Sequence, residues 1–202
     1  MSHHARIRQI TDDDWGGIAA LESRAYAALG LSEEPAALRS RGHASPDTCF
    51  VLDLPHGLAG YLLALPYPMF HYPDLVRAEG VAAGHAEGPA AGSFVPSRNL
   101  HLHDLVIAEP LRGRGLAGRL LRHLTATARA GGYEQLSLVA VAGSGTFWAA
   151  HGFVRHPGVV PPGEYGGQAV YMSRPVRGDR TAAPKPAGAT SHGPAPHHHE
   201  GE

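Results

Sequence analysis

Cysteine occurs once in this 202-residue chain, at Cys49. No disulfide can close within it, which fits a reducing compartment. The strand-like setting Thr48-Cys49-Phe50-Val51-Leu52 marks the thiol as a small buried hydrophobe and not a nucleophile. No apolar run approaches the roughly 18 residues of a membrane span, and the first residues lack the apolar core of a signal peptide. A cytoplasmic protein with no membrane partner is therefore expected. Charge of one sign is missing too: 17 basic residues meet 18 acidic ones for a formal net charge of −1, so no nucleic-acid partner is expected. Internal repeats are absent. What remains, 202 residues at 43% hydrophobic content, suffices for one domain with a sizeable core.

The chain is organised around residues 100–118, Leu-His-Leu-His-Asp-Leu-Val-Ile-Ala-Glu-Pro-Leu-Arg-Gly-Arg-Gly-Leu-Ala-Gly. An apolar strand pattern runs from Leu100 to Ala108 and breaks at Pro110. It opens through Arg112-Gly113-Arg114-Gly115 into a helix whose apolar side is Leu116, Ala117, Leu120, Leu121 and Leu124. The first amides of a helix have no intrahelical acceptor and sit at the positive end of its dipole, so this order makes an anion site. Gly113 and Gly115 lack Cβ and let backbone N–H groups close around a diphosphate, while Arg112 and Arg114 add charge. Two other phosphate signatures are absent. A Walker loop needs a Gly-Lys-Ser/Thr ending, and a dinucleotide fingerprint needs G-x-G-x-x-G with an acidic residue about 20 positions on.

Around this stretch the periodicity predicts a strand over Ala5 to Ile10, then a helix capped by Thr11 and running to about Tyr26 on Trp15, Ile18, Ala19, Leu21 and Ala25. A second, short helix starts at Ser32-Glu33-Glu34 and ends near Arg41-Gly42. Thr48 to Leu54 and Leu58 to Leu65 read as a hairpin turned by Pro55-His56-Gly57. From Tyr67 to Arg98 no periodicity holds, and loops of that length are usually lids or disordered. Tyr67, Phe70 and Tyr72 in its first third are candidate substrate-pocket residues, and Gly80 to Gly92 reads as mobile surface. After the phosphate turn come a helix ended by Gly131-Gly132, a strand over Gln135 to Val141, a short helix after Gly143-Ser144-Gly145, and a last strand over Ala169 to Met172. From residue 176 on, large apolar side chains almost vanish, so a disordered tail is expected over 176–202, with His197, His198 and His199 solvated in it.

Arg112-x-x-Gly115-x-Ala117 resembles the R/Q-x-x-G-x-G/A signature of the GNAT acyltransferases, which bind acyl-coenzyme A. Phe147-Trp148-Ala149-Ala150-His151-Gly152-Phe153 follows in that family's order. His101-Leu102-His103-Asp104-Leu105-Val106-Ile107 looks like the H-L-H-A-L-A-V strand of the arylalkylamine (serotonin-type) N-acetyltransferases. The likeness spans roughly residues 5 to 175 as a fold, with its specific matches confined to 100–118 and 144–153. It implies an α/β domain over 1–175 with a mixed, splayed central sheet flanked by helices. It further implies acetyl-CoA as acyl donor, a small-molecule primary amine as acceptor, no metal, and a monomer or homodimer.

The same resemblance assigns the site. The backbone of Leu105, Val106 and Ile107 pairs with the pantetheine arm as an added strand would. Arg112, Gly113, Arg114, Gly115, Leu116, Ala117 and Gly118 seat the diphosphate, and Ser144, Phe147 and Trp148 lie beside the cofactor. A primary amine with a lysine-like pKa of about 10.4 is well under 1% neutral at pH 7, so a proton acceptor is useful. His101 and His103, two apart on a strand and about 7 Å from each other on one face, are the expected catalytic pair, with Asp104 on the opposite face. Hydrogen-bonded core histidines, or a metal pair lacking its third ligand, are the other readings of that spacing. Trp148 stands where relatives of this type keep a tyrosine that protonates the leaving thiolate. Either the thiolate leaves unaided, or Ser144 or a tyrosine from elsewhere substitutes. A coenzyme-binding module without turnover and acetylation of a protein or carrier-bound amine stay open as rivals.

Overall fold

The computed structural model describes residues 5–79 and 97–176. Its seven strands are β1 (Arg6–Gln9), β2 (Phe50–Leu54), β3 (Gly57–Pro66), β4 (Asn99–Ile107), β5 (Gln135–Ala140), β6 (Val154–His156) and β7 (Val170–Pro175). They form one sheet in the order β1-β2-β3-β4-β5-β7-β6. All neighbours pair antiparallel except β4 and β5, which are parallel. The helices are α1 (Trp15–Tyr26), α2 (Pro35–Ala44), α3 (Leu116–Ala130) and α4 (Gly145–Ala150). This is the expected α/β fold, a mixed sheet with helices on both faces.

Each face has its own apolar layer, set by the period-2 alternation of the strands. On one side Leu116, Leu120, Leu121, Leu124 and Ala128 of α3, with Trp148 of α4, pack on Leu62, Leu100, Leu102, Leu136, Leu138 and Met172. On the other, Trp15, Ile18 and Leu21 of α1 and Leu38 of α2 pack on Val51, Tyr61, Leu63 and Val106. Thr11 sets the start of the first helical segment: its N–H donates to the Asp14 carboxylate at 2.7 Å, and the Asp14 N–H returns to the Thr11 carbonyl at 3.1 Å. Arg8 clamps the same carboxylate at 2.7 Å.

Three elements depart from the sequence reading. The helix predicted to begin at Ser32-Glu33-Glu34 begins at Pro35, whose fixed φ suits a first helical turn, and it runs on to Ala44. Ser32 and Glu33 remain outside it, turned toward Glu22. The three-residue β6 is too short to show a period, and β7 continues past Met172 to Pro175. Val176, the first residue of the tail expected over 176–202, is instead fully buried in the core and donates to the Glu134 carbonyl at 2.9 Å, while the stretch Gly80 to Gly92 and residues 177–202, with their three histidines, lie outside the described residues.

The decisive feature is at the centre of the sheet. β4 and β5 pair only over Asn99–Gln135, Leu100–Leu136 and His101–Ser137, although β4 runs on to Ile107 and β5 to Ala140. Against β3, Leu63 faces Asp104 and Ala64 faces Leu102, so His103 is an extra residue without a partner. Such a bulge bends its strand and adds twist. β4 therefore stays joined to β3 and swings away from β5, opening the sheet.

Gly60 of β3 holds the far edge of this opening close. A Cβ there would lie 2.5 Å from the Val106 carbonyl oxygen and 2.7 Å from Ile107 Cδ1. Gly60→Ala is expected to destabilise the fold by about 1–3 kcal/mol in urea unfolding, because backbone must move. Gly16→Ala, in α1 with nothing within 4 Å of the new methyl, is the control and should gain about 0.4–1 kcal/mol.

Candidate active site

A cleft of about 690 Å³ passes through the gap between the two central strands, a size typical of ligand sites. Leu105, Val106 and Ile107 form one wall and Val139, Val141 and Ala142 the other. The floor on the α3 side is Arg112, Gly113, Gly115, Leu116, Ala117 and Gly118, and Ser144, Phe147 and Trp148 close the α4 side. Twelve of the thirteen residues expected at the cofactor thus line one cleft. Arg114 is exposed and does not line it.

The turn into α3 is built by backbone conformation. Gly113 and Gly115 have φ of +75° and +74°, a region side-chain-bearing residues rarely adopt. No atom lies within 4 Å of where their Cβ would be, so glycine is required there by the turn itself and not by crowding. The first helical bond is Arg119 N–H to the Gly115 carbonyl at 3.1 Å, which leaves the amides of Leu116, Ala117 and Gly118 without a helical acceptor. Arg112 folds back and donates from Nε to the Ile107 carbonyl at 3.2 Å, tying the turn to the end of β4. Arg122 and His151, which the sequence reading did not place in the site, also line the cleft and converge near Gly118.

On the opposite face the cleft meets a second, small pocket of about 40 Å³, and Tyr26, His103, Asp104, Val139 and Val141 border both. The His103 side chain is 3% exposed. Its Nε2 lies 2.5 Å from Glu33 Oε1, and Arg41, fully buried, grips Glu33 Oε2 through Nε and Nη2. Arg41 also reaches Glu79 at 2.7 Å and the Asp74 carbonyl at 2.8 Å. Burial pushes Glu33 upward, but the His103 and Arg41 contacts outweigh it and hold the carboxyl below its ordinary range. An ionised Glu33 only accepts, so the neutral imidazole carries its hydrogen on Nε2 and its lone pair on Nδ1. Nδ1 is buried and has no hydrogen-bond partner among the described residues.

The other expected site residues lie elsewhere. His101 shares the face of His103 but does not line the cleft: its Nδ1 is 2.9 Å from Ser137 Oγ, and its ring packs beside Tyr67 and Tyr171. Burial drives its pKa well below 6.5. Asp104 is not on the opposite face. The bulge breaks the alternation and leaves it beside His103, bonded to the phenols of Tyr26 at 2.6 Å and of Tyr61. Tyr67, Phe70 and Tyr72 line neither cavity among the described residues, because their segment crosses over Tyr171 and Tyr165 instead. Trp148 is buried against Phe147 and Phe153 while edging the cleft. Tyr26 is the one phenol lining the cleft among the described residues, and its proton is given to Asp104.

A family model described as the acetyltransferase (GNAT) family matches residues 15–153. No curated protein sequence matches significantly. Among solved structures, the loading GNATL domain of CurA from Lyngbya majuscula is similar at a TM-score of 0.64 and 18% identity, covering 86% of this chain and 98% of that one. The GphF GNAT-like decarboxylase in complex with isobutyryl-CoA gives 0.62 and 22%, covering 85% and 100%. Diaminobutyrate acetyltransferase EctA from Paenibacillus lautus gives 0.59 and 13%, covering 88% and 99%. At these identities the likeness is one of fold.

Asp104 offers a direct check on the site. Burial pushes its carboxyl up from 3.8 to about 6, with His103 and the two phenols restraining the rise. Between those values the folded protein binds a proton that the unfolded chain releases, so this group's contribution to stability falls as pH rises through the window. Tyr61→Phe removes one donor to the ionised form, and the Asp104 titration should move above 6 in carboxyl-detected NMR. An unchanged or lower midpoint would show that the phenol does not stabilise the carboxylate.

Proposed function

The chain belongs to the GNAT acetyltransferase family, and from that membership we propose that it transfers an acetyl group from acetyl-CoA to a primary amine of a small molecule by direct attack. The carrying observation is the single cleft that joins a helix-start phosphate turn to a buried imidazole with a free lone pair. The fit to a nucleotide thioester is physical. Unbonded amides and a helix dipole face the place of a diphosphate, and an unpaired strand edge supplies N–H and C=O groups for an amide-bearing arm.

His103 performs the proton step. The nitrogen of the acceptor forms its bond to the thioester carbon, the carbon–sulfur bond breaks, and the electron pair leaves on sulfur. The nitrogen's proton goes to His103 Nδ1 while Nε2–H stays donated to Glu33, an arrangement in which the carboxylate stabilises the imidazolium that forms. Arg41 keeps Glu33 ionised and immobile. With the Tyr26 phenol committed to Asp104, the sulfur departs as a thiolate, feasible for a group with a thiol-like pKa near 8.5. Cys49, the chain's one cysteine, is fully buried, and burial holds its thiol up at about 12, which leaves no thiol nucleophile for an acyl-enzyme. The missing phenol is also the observation favouring a second reading, a coenzyme-binding module without turnover.

A thiol-release assay with acetyl-CoA and a panel of amines tests the proposal. His103→Gln should lower kcat by about 10²- to 10⁴-fold with coenzyme A binding retained. His101→Gln, which does not touch the cleft, should cost less. Coenzyme A binding with no thiol released from any amine supports the second reading instead. Gly115→Ala should weaken coenzyme A by about 5- to 30-fold in calorimetry, since restoring φ of +74° costs a side-chain-bearing residue about 1–2 kcal/mol.

A further inference from the structure

The small pocket where α1 meets the chain leading into α2 carries more negative charge than the protein neutralises. Glu22 is 2% exposed and accepts from the Ser32 hydroxyl at 2.6 Å and the Glu33 N–H at 2.7 Å. Asp104 is 5% exposed and accepts from two phenols. Every one of those donors is neutral. Among the described residues no arginine, lysine or histidine lies within ion-pair distance of either carboxylate; the ion pairs of the neighbourhood join Arg41 to Glu33 and Glu79, and His103 to Glu33. Two buried carboxylates therefore face one cavity with no ion-pair partner among the described residues, the one basic side chain on its wall being His103, already bonded to Glu33, an arrangement that is costly unless something positive enters.

A second observation points the same way. His103, whose side chain is 3% exposed, borders both this pocket and the thioester cleft, and its Nδ1 has no hydrogen-bond partner among the described residues. A ligand nitrogen there satisfies the imidazole, and a second positive nitrogen deeper in reaches the carboxylates. Leu31, Leu75, Val139 and Val141 give the remaining wall an apolar character suited to methylene groups. The volume of about 40 Å³ holds an ammonium and little more, whereas a cavity of about 150 Å³ is the scale that admits a benzene ring.

We propose that this pocket is the acceptor site and that it takes a short aliphatic diamine or polyamine end, one nitrogen at His103 Nδ1 and a second, protonated nitrogen between Glu22 and Asp104. The inference rests on the acyl-transfer reading for its chemistry and goes beyond it in naming the acceptor. An acceptor carboxylate is repelled by the same groups, and an aryl group finds no room.

The experiment compares putrescine, n-butylamine, phenethylamine and alanine as acceptors in the thiol-release assay. Putrescine should exceed n-butylamine in kcat/KM by about tenfold to a hundredfold, the worth of one charge-assisted contact. Glu22→Gln, whose one oxygen can accept from the Glu33 amide while its NH2 donates to the Ser32 hydroxyl, should lower kcat/KM for putrescine by a similar factor and change that for n-butylamine far less. Should Glu22→Gln fail to fold, Asp104→Asn reads the same charge. Equal kcat/KM for putrescine and n-butylamine, or an advantage for phenethylamine or alanine, overturns the pocket assignment while acyl transfer stands. No thiol release from any amine overturns acyl transfer itself. Calorimetric titration with putrescine then reads the pocket alone: binding that weakens in Glu22→Gln supports it, and no binding overturns it.

Discussion

The parallel pairing of β4 with β5 stops after three residue pairs, and nearly everything functional in this molecule follows from that stop. A sheet closed along its length separates its two faces completely. Here the gap lets one cavity run from the glycine turn before α3 on one face to the end of α1 on the other. The bulge at His103 is the structural cause and is also the catalytic candidate, because an extra residue in a ladder both bends the strand and frees a side chain from the pleat. Edge groups left bare in a sheet interior are a liability unless something pairs with them. On the proposed reading a ligand resolves that liability where another protein would use a strand.

Holding β4 in this bent state requires support on the α1 and α2 side, and the support is electrostatic. Arg41 is wholly buried, and its guanidinium spans Glu33, Glu79 and two backbone carbonyls in the segment after β3. Fully bonded in this way, a buried arginine tolerates its desolvation, and removing any one partner leaves the others exposed to the low dielectric. The cluster thereby joins α2, the Glu33 loop, the chain around Asp74–Glu79 and β4 through a single side chain. A hydrophobic replacement of similar volume would pack, yet it would leave Glu33 free to titrate and His103 free to turn. Stability alone does not require such a network; the proposed base, which must present one particular nitrogen, does.

This division explains what was legible in the chain. The glycine turn into α3 is readable in conformation, because glycine at positive φ and a helix start are local facts carried by adjacent residues, Gly113 through Gly118. The splay was foreseeable only through family likeness. The bulge at His103 was not readable, since a strict period of two assigns Asp104 to the wrong face and nothing in His-Leu-His-Asp marks the slip. The neighbours of the aromatic run Tyr67 to Tyr72 are not legible for a related reason: composition says that a side chain is large and flat, while the crossing over Tyr171 is a tertiary fact. Two further signals lie in the helices. Glu22 falls four residues after Ile18 and seven after Trp15, on the apolar stripe of α1, and Arg41 falls three after Leu38 in α2. A charge on a buried stripe is either paired or functional, and these two are the foundations of the pocket.

A negatively lined pocket beside a general base poses a chemical conflict. Carboxylates that attract an ammonium also stabilise its charged form, which raises its pKa and opposes the deprotonation that attack requires. For a monoamine the two demands fall on one nitrogen, and tighter binding slows chemistry. In a short diamine they fall on different atoms. The inner ammonium satisfies Glu22 and Asp104, and its positive charge, a few bonds away, depresses the pKa of the outer nitrogen by direct repulsion. That nitrogen meets His103 Nδ1 already easier to deprotonate, with Glu33 behind the imidazole to hold the charge that arrives. Binding energy drawn from the remote end is thus spent on the reacting one, the condition under which affinity contributes to rate.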